Sequence, residues 1–184
     1  IQDKRISAGS IPYAPTMMEQ MTGLMGQYIL VNGVYAPSHN VETAKYRVRI
    51  LNGSNARIYN LALSNGASFT VIGNDGGLLA TPQTVNSLII APGERADLII
   101  DFSTMTLNSE LFLISKTFIG GNAQGKQEFK IMKFKVTTQV VDNFSIPTTL
   151  SSVSPLTESM ATKTRDFEIS NVDSGSMSGM MMHT

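Results

Sequence analysis

The sequence predicts an all-β protein, a Greek-key sandwich or barrel of about eight strands. Three observations carry that expectation. Short apolar runs alternate with period two, turn residues (Asn-Gly, Asp-Gly, Pro-Gly) separate them at close spacing, and helical periodicity is almost absent.

Taken in order, residues 1–16 are extended and turn-rich, with an edge strand expected near residues 1–6. Met17, Met21 and Met25 then recur at i, i+4 and i+8, which predicts a short amphipathic helix capped by Gly26. Its methionines read either as a soft-metal patch or as core filler against a sheet, the second being the commoner use of the side chain. A short strand over 28–31 ends in the Asn32-Gly33 turn, and His39 falls in a polar loop, as a solvated side chain more than as a ligand. Residues 46–51 place Tyr46, Val48 and Ile50 on one face of a strand and Arg47, Arg49 and Leu51 on the other. Residues 58–63 and 69–72 read as a hairpin around Asn65-Gly66. Asn74-Asp75-Gly76-Gly77 is a turn, and Pro82 marks a loop. Strands over 87–91 and 97–102 flank Pro92-Gly93-Glu94-Arg95, and 111–117 is strongly apolar. Residues 129–136 alternate cleanly, yet neither face is clearly the core: Phe129 and Ile131 share one with two lysines, and Met132, Phe134 and Val136 share the other with one.

Beyond Val141 the texture changes. Residues 142–163 are rich in Ser, Thr and Pro and read as a linker. Residues 164–170 read as one more strand without a partner in the remaining sequence, followed by a methionine-rich tail. The 184 residues are therefore expected to be a piece of a longer protein, divided at 1–141, 142–163 and 164–184.

Composition excludes several function classes. Hydrophobic residues at 42% against 15% charged ones are ample for a core, and the net charge is zero. Nucleic acid and anionic membrane surfaces call for a basic excess that is missing here. No apolar run approaches the roughly 18 residues of a membrane-spanning helix. Cysteine is absent, which removes disulfides, thiolate nucleophiles and thiolate metal ligands.

The chemical motifs are mostly decoys. Gly120 to Lys126 matches G-x-x-x-x-G-K, but Gln127 stands where a magnesium-binding Ser or Thr belongs, and a strand pattern follows instead of a helix. A surface hairpin loop is the expected structure. With two histidines and no G-x-S-x-G, nucleophilic hydrolysis has no support, so no catalytic residue and no cofactor-binding residue is assigned. Asn52-Gly53-Ser54 and Asn143-Phe144-Ser145 fit the weak glycosylation pattern. Met177, Met180, Met181, Met182 and His183 offer thioethers and an imidazole suited to Cu(I), though on a tail without a scaffold. The charges beside apolar runs read as structural: Arg47, Arg49, Arg57, Asp75, Glu94, Arg95 and Asp101 form a paired network fixing turns and strand ends. Truncating Arg95 should then lower the melting temperature.

The region around residues 46–102 resembles the second, central cupredoxin domain of three-domain multicopper oxidases, the laccase, cuprous oxidase and bilirubin oxidase group. The matching residues are Gln2-Asp3, Val31-Asn32-Gly33, Tyr46 through Asn52, and Asn55-Ala56-Arg57. They continue with Asp75 through Leu79, Pro82, Ala91 through Asp97, and Asp101-Phe102, in order over about residues 1–137. Gln27 departs from the family, which often has Asp there. Thr164-Arg165-Asp166-Phe167 looks like the opening strand of the family's third domain.

The resemblance implies a cupredoxin-like sandwich that holds no copper and spaces two flanking copper-bearing cupredoxin domains. The parent would oxidise substrates by single electrons and reduce dioxygen to water, in an extracytoplasmic setting. A chain without cysteine cannot build the family's Cys–His mononuclear centre, and two histidines fall short of a trinuclear cluster. A copper-less structural relative of the cell-division type, or an independent ligand-binding sandwich, would read the same way from these residues.

Overall fold

The structure, a computed structural model, describes residues 1–120, 122–152 and 154–168. The strands in chain order are β1 (Gln2–Lys4), β2 (Tyr28–Val31), β3 (Val34–Tyr35), β4 (Ser38–Glu42), β5 (Lys45–Leu51) and β6 (Tyr59–Leu63). They continue as β7 (Phe69–Asn74), β8 (Gly77–Val85), β9 (Leu88–Ile90), β10 (Arg95–Asp101), β11 (Glu110–Ser115) and β12 (Phe129–Thr138), with one helix, α1 (Met17–Thr22). A four-stranded sheet (β5-β10-β7-β8) faces a five-stranded one (β4-β12-β11-β6-β9), and a small sheet (β1-β2-β3) stands beside them. Leu61, Leu98, Ile100, Phe102, Leu111, Leu113 and Val136 fill the core, with the Phe102 ring 5.2 Å from that of Phe134. The first compact unit spans Ile1–Ser152. Within it, the Leu150 amide donates to the Ala80 carbonyl and the Ser151 hydroxyl to that of Leu79, so the Ser/Thr/Pro-rich stretch lies against β8 at Leu150 and Ser151. In the second unit, the only regular element among the described residues is a short 3-10 turn at Glu158–Met160, and residues 164–168 form no strand.

The all-β sandwich agrees with the sequence, while several local readings do not. The expected hairpin around Asn65-Gly66 is a corner between sheets: β6 pairs with β11 and β9, β7 with β10 and β8. An Asn-Gly pair sets a tight reversal, and cannot say whether the next strand returns to the same sheet. Pro82 lies inside β8, not in a loop, which is tolerated because β8 is an edge strand. His39 sits on β4, exposed, in parallel register with Phe134 of β12. The face ambiguity of β12 has a physical cause. Leu113 pairs with Met132 but Ile114 with Lys130, so Ile131 is an unpaired bulge residue. The inward phase therefore switches from Phe129 and Ile131 to Met132, Phe134 and Val136.

Helix α1 overturns the core-filler reading, since it buries no residue and Met17 and Met21 are each 81% exposed. Glu19 decides the orientation. Its carboxylate accepts from the Thr16 amide (2.8 Å) and hydroxyl (3.0 Å) in a capping box and pairs with Arg5, turning that side inward. At about 100° per residue, Met17, Met21 and Met18 then share the opposite, solvent-facing arc. The helix stops at Gly23 and not Gly26: Gly23 leaves helical geometry at φ 90°, and only glycine fits there, since a Cβ would come within 2.2 Å of the Ala56 Cβ.

Candidate functional site

The densest polar constellation is buried where β1, the approach to β2 and the segment before β6 meet. Asp3 lies on β1, a short strand whose other side chains are half-buried. Gly26 must approach it closely: a Cβ there would fall 2.2 Å from the Lys4 carbonyl carbon. That approach lets the Gly26 amide donate to Asp3 Oδ2 at 2.7 Å. Arg57 completes the node, donating from Nε to Asp3 Oδ2 (2.9 Å), from Nη2 to the Gly26 carbonyl (2.9 Å) and from Nη1 to Gln127 Oε1 (2.5 Å). The two charged side chains are 7% and 1% exposed, and the guanidinium lies 5.3 Å from the centre of the Phe129 ring. A buried pair of this kind is tolerated because further hydrogen bonds, from the Gly26 amide to Asp3 and from Arg57 to Gly26 and Gln127, engage both partners.

Asn52 and Ser54 extend the node toward the core. Asn52 is fully buried, and its amide nitrogen donates to the Arg57 (2.8 Å) and Ile90 (3.0 Å) carbonyls. Its side-chain oxygen accepts from the Ser54 amide. Ser54 Oγ in turn accepts from the Asp3 amide at 3.0 Å and shares a 2.7 Å hydrogen bond with the Tyr59 hydroxyl. Burial pushes the Tyr59 phenol up to about 12, against a smaller downward pull from the Ser54 hydrogen bond.

The other charges singled out in the sequence occupy separate surface positions. Arg47 donates to Asp97 from Nε at 3.2 Å, and Arg49 lies 3.6 Å from the same carboxylate, across β5 and β10. Arg95 pairs with Asp75 at 2.9 Å with both side chains largely exposed (62% and 45%). Glu94 accepts from the Ala91 amide and closes its own turn, and Asp101 lies 3.6 Å from Lys45. Of the seven, only Arg57 enters the buried node. Asp3, Ser54, Tyr59 and Gln127, its other main members, carry no periodicity or motif that marks them as partners. The absence of Ser or Thr at 127 has its explanation there, since the amide of Gln127 serves Arg57. Gln27 donates to the Ile6 carbonyl at 3.3 Å. Met177, Met180, Met181, Met182 and His183 lie outside the described residues.

The node can brace, and it offers no redox or acid–base chemistry: its carboxylate is engaged by a guanidinium and an amide, and its phenol is held neutral. Copper of the kind the resemblance implies does not fit this chain. Cysteine is absent, His39 is exposed and alone on an outer strand, and among the described residues no group of three or more His, Cys, Asp or Glu is placed to hold a metal. No helix among the described residues is long and apolar enough to cross a membrane.

A two-sheet sandwich of this topology, braced by a buried ion pair and with no metal-ligand cluster among the described residues, is of cupredoxin type. Comparison with known proteins narrows the class. The family profile described as "Multicopper oxidase" matches residues 11–145. The chain belongs to the multicopper oxidase family. It is 46% identical over 112 residues to the laccase of Bacillus subtilis (61% of this chain, 22% of that one). To Multicopper oxidase LPR2 of Arabidopsis thaliana it is 36% identical over 143 residues (76% and 25%). The crystal structure of McoA multicopper oxidase from Aquifex aeolicus superposes with a TM-score of 0.80 at 41% identity, over 87% of this chain and 35% of that one. The chain thus spans about a quarter of the length of these curated relatives.

Proposed function

We propose that this chain is the copper-free central cupredoxin domain of a three-domain multicopper oxidase. The parent oxidises its substrate by single electrons and reduces dioxygen to water at copper sites held by the flanking domains. In this reading residues 1–141 are the spacer domain, 142–163 a linker, and 164–184 the start of the third domain with its methionine-rich tail. The charges at Arg47, Arg49, Arg57, Asp75, Glu94, Arg95 and Asp101 serve architecture, and the parent works outside the cytoplasm. One observation carries the proposal: the family match runs through a chain that has no cysteine and two histidines.

A second reading has its own support. The chain is 44% identical over 104 residues to Cell division protein FtsP of Pectobacterium atrosepticum (56% of this chain, 21% of that one). A structural parent that lacks copper would use the same domain. The flanking coding sequence separates the two. His-x-His pairs and a His-Cys-His motif outside this window support the oxidase, and their absence leaves the structural protein. Metal analysis of the dialysed chain should find no stoichiometric copper and no oxidase activity. Copper that survives deletion of residues 171–184 would overturn the copper-free assignment. Copper that disappears with the deletion would instead assign a site to Met177, Met180, Met181, Met182 and His183.

A further inference from the structure

Methionine serves two ends in this chain. Met105 and Met132 pack against the core, the ordinary use of a flexible apolar side chain. Those of α1 do the opposite: Met17, Met18 and Met21 are 81%, 67% and 81% exposed, on a helix that buries no residue. Nothing in the core needs them, so their sulfurs are what remains to be explained.

Their spacing brings the three together. Met21 follows Met17 by four residues and Met18 by three, which makes it the helical neighbour of both, with Cβ atoms roughly 5–6 Å apart. Each sulfur sits near the end of an unbranched, freely rotating chain, so all three reach a common point over Met21. The helix beneath them is anchored at both ends. At its start the Glu19 carboxylate holds the Thr16 amide and pairs with Arg5, on the side away from the methionines. At its end the Thr22 hydroxyl donates to the Met18 carbonyl (2.9 Å) and the Gly23 amide to the Glu19 carbonyl (2.8 Å), with Gly23 close against Ala56.

A thioether is a neutral, polarizable ligand with no proton to lose. It suits Cu(I) and holds hard oxygen-seeking ions such as Mg(II) and Ca(II) poorly. Neutral ligands leave the charge of the ion unbalanced, so a site built from them holds its ion loosely and gives it up on dialysis. Such a site is compatible with a chain that retains no stoichiometric copper.

We propose that Met17, Met18 and Met21 form an exchangeable surface site for a soft monovalent ion, Cu(I), coordinated by their three sulfurs over the solvent face of α1. The site stands on this one helix and is the same whichever parent the domain serves.

Carbon–proton spectra of the 184-residue protein, labelled at the methionine methyls, test this with Ag(I) as a redox-stable probe and with Cu(I) in the absence of oxygen. The methyls of Met17, Met18 and Met21 should shift along one saturating curve with a shared midpoint. Those of Met105 and Met132 should stay in place and so report an intact fold. The double variant Met17→Leu/Met21→Leu keeps an apolar, helix-forming face but removes two of the sulfurs, and should lose the saturable shift at Met18. No shift at the three methyls would overturn the proposal. Different midpoints for the three would also do so, by making them independent thioethers. So would an undiminished Met18 shift in the double variant.

Discussion

Replacing Arg57 by Met should destabilise the domain by about 3–5 kcal/mol, the usual effect of leaving one member of a buried ion pair alone. The structure sets where in that range the loss falls. Asp3, 1% exposed at its side chain, would keep only the Gly26 amide as a donor. The Gly26 carbonyl and Gln127 Oε1 would lose their partners, each adding about 1 kcal/mol. The upper half of the range is therefore expected, with a fall in melting temperature of roughly 8–20 °C. Equilibrium urea unfolding followed by circular dichroism measures it. If the variant does not fold, Arg57→Lys, which keeps the charge, supplies a milder reading. The double variant Asp3→Leu/Arg57→Met should recover much of the loss, because the stranded carboxylate is then gone. A loss below about 1 kcal/mol for Arg57→Met, the range of exposed pairs, would refute the brace. So would a double variant no better than the single one.

The remaining predictions contrast with this one. Arg95→Ala should lower stability by less than about 1 kcal/mol, since Arg95 and Asp75 are both largely in water, and unfolding in urea beside the Arg57 variant checks the difference. The Tyr59 phenol has its pKa raised in the fold, so its contribution is complete below pH 10 and disappears as pH rises toward about 12. Tyr59→Phe should flatten that part of the stability profile, and tyrosinate absorbance in the parent should show one phenol titrating late. Glu19 is lowered from 4.5 to about 2 by the Thr16 amide first and the Arg5 hydrogen bond next. Its support for α1 is therefore present above pH 4.5 and lost as pH falls through about 2, which chemical shifts of the Thr16 and Glu19 amides would follow.

What could be read from the sequence depended on how local its cause was. The period-two face of β5, with Tyr46, Val48 and Ile50 inward and Arg47 and Arg49 outward, is legible because the pleat alone produces it. The core face of β12 is not, because a single bulge at Ile131 shifts the phase and only the partner strand reveals it. The same limit governs the node. Arg57 stood out as a charge beside an apolar run, but its partner Asp3 lies 54 positions away and Gln127 a further 70 in the other direction. Neither belongs to a pattern that spacing could detect. Arg57 and Arg95 looked alike in sequence for that reason, and only burial separates the arginine that braces the domain from the one that decorates it.

The brace and the chain just before β1 bear on one another. Asp3 and Ile1 are two residues apart, so the ion pair that holds Asp3 also holds Ile1 against Leu51. The Leu51 carbonyl and the Gly53 amide bond Ile1 from both sides of Asn52, and the Asp3 amide bonds Ser54. Loosening Arg57 should therefore speed hydrogen exchange at the Gly53 amide before the rest of the sandwich opens. An apolar pair of similar volume could hold β1 as well, so what the buried charge at Arg57 adds is one fixed register of Asp3 against Gly26 and Ser54.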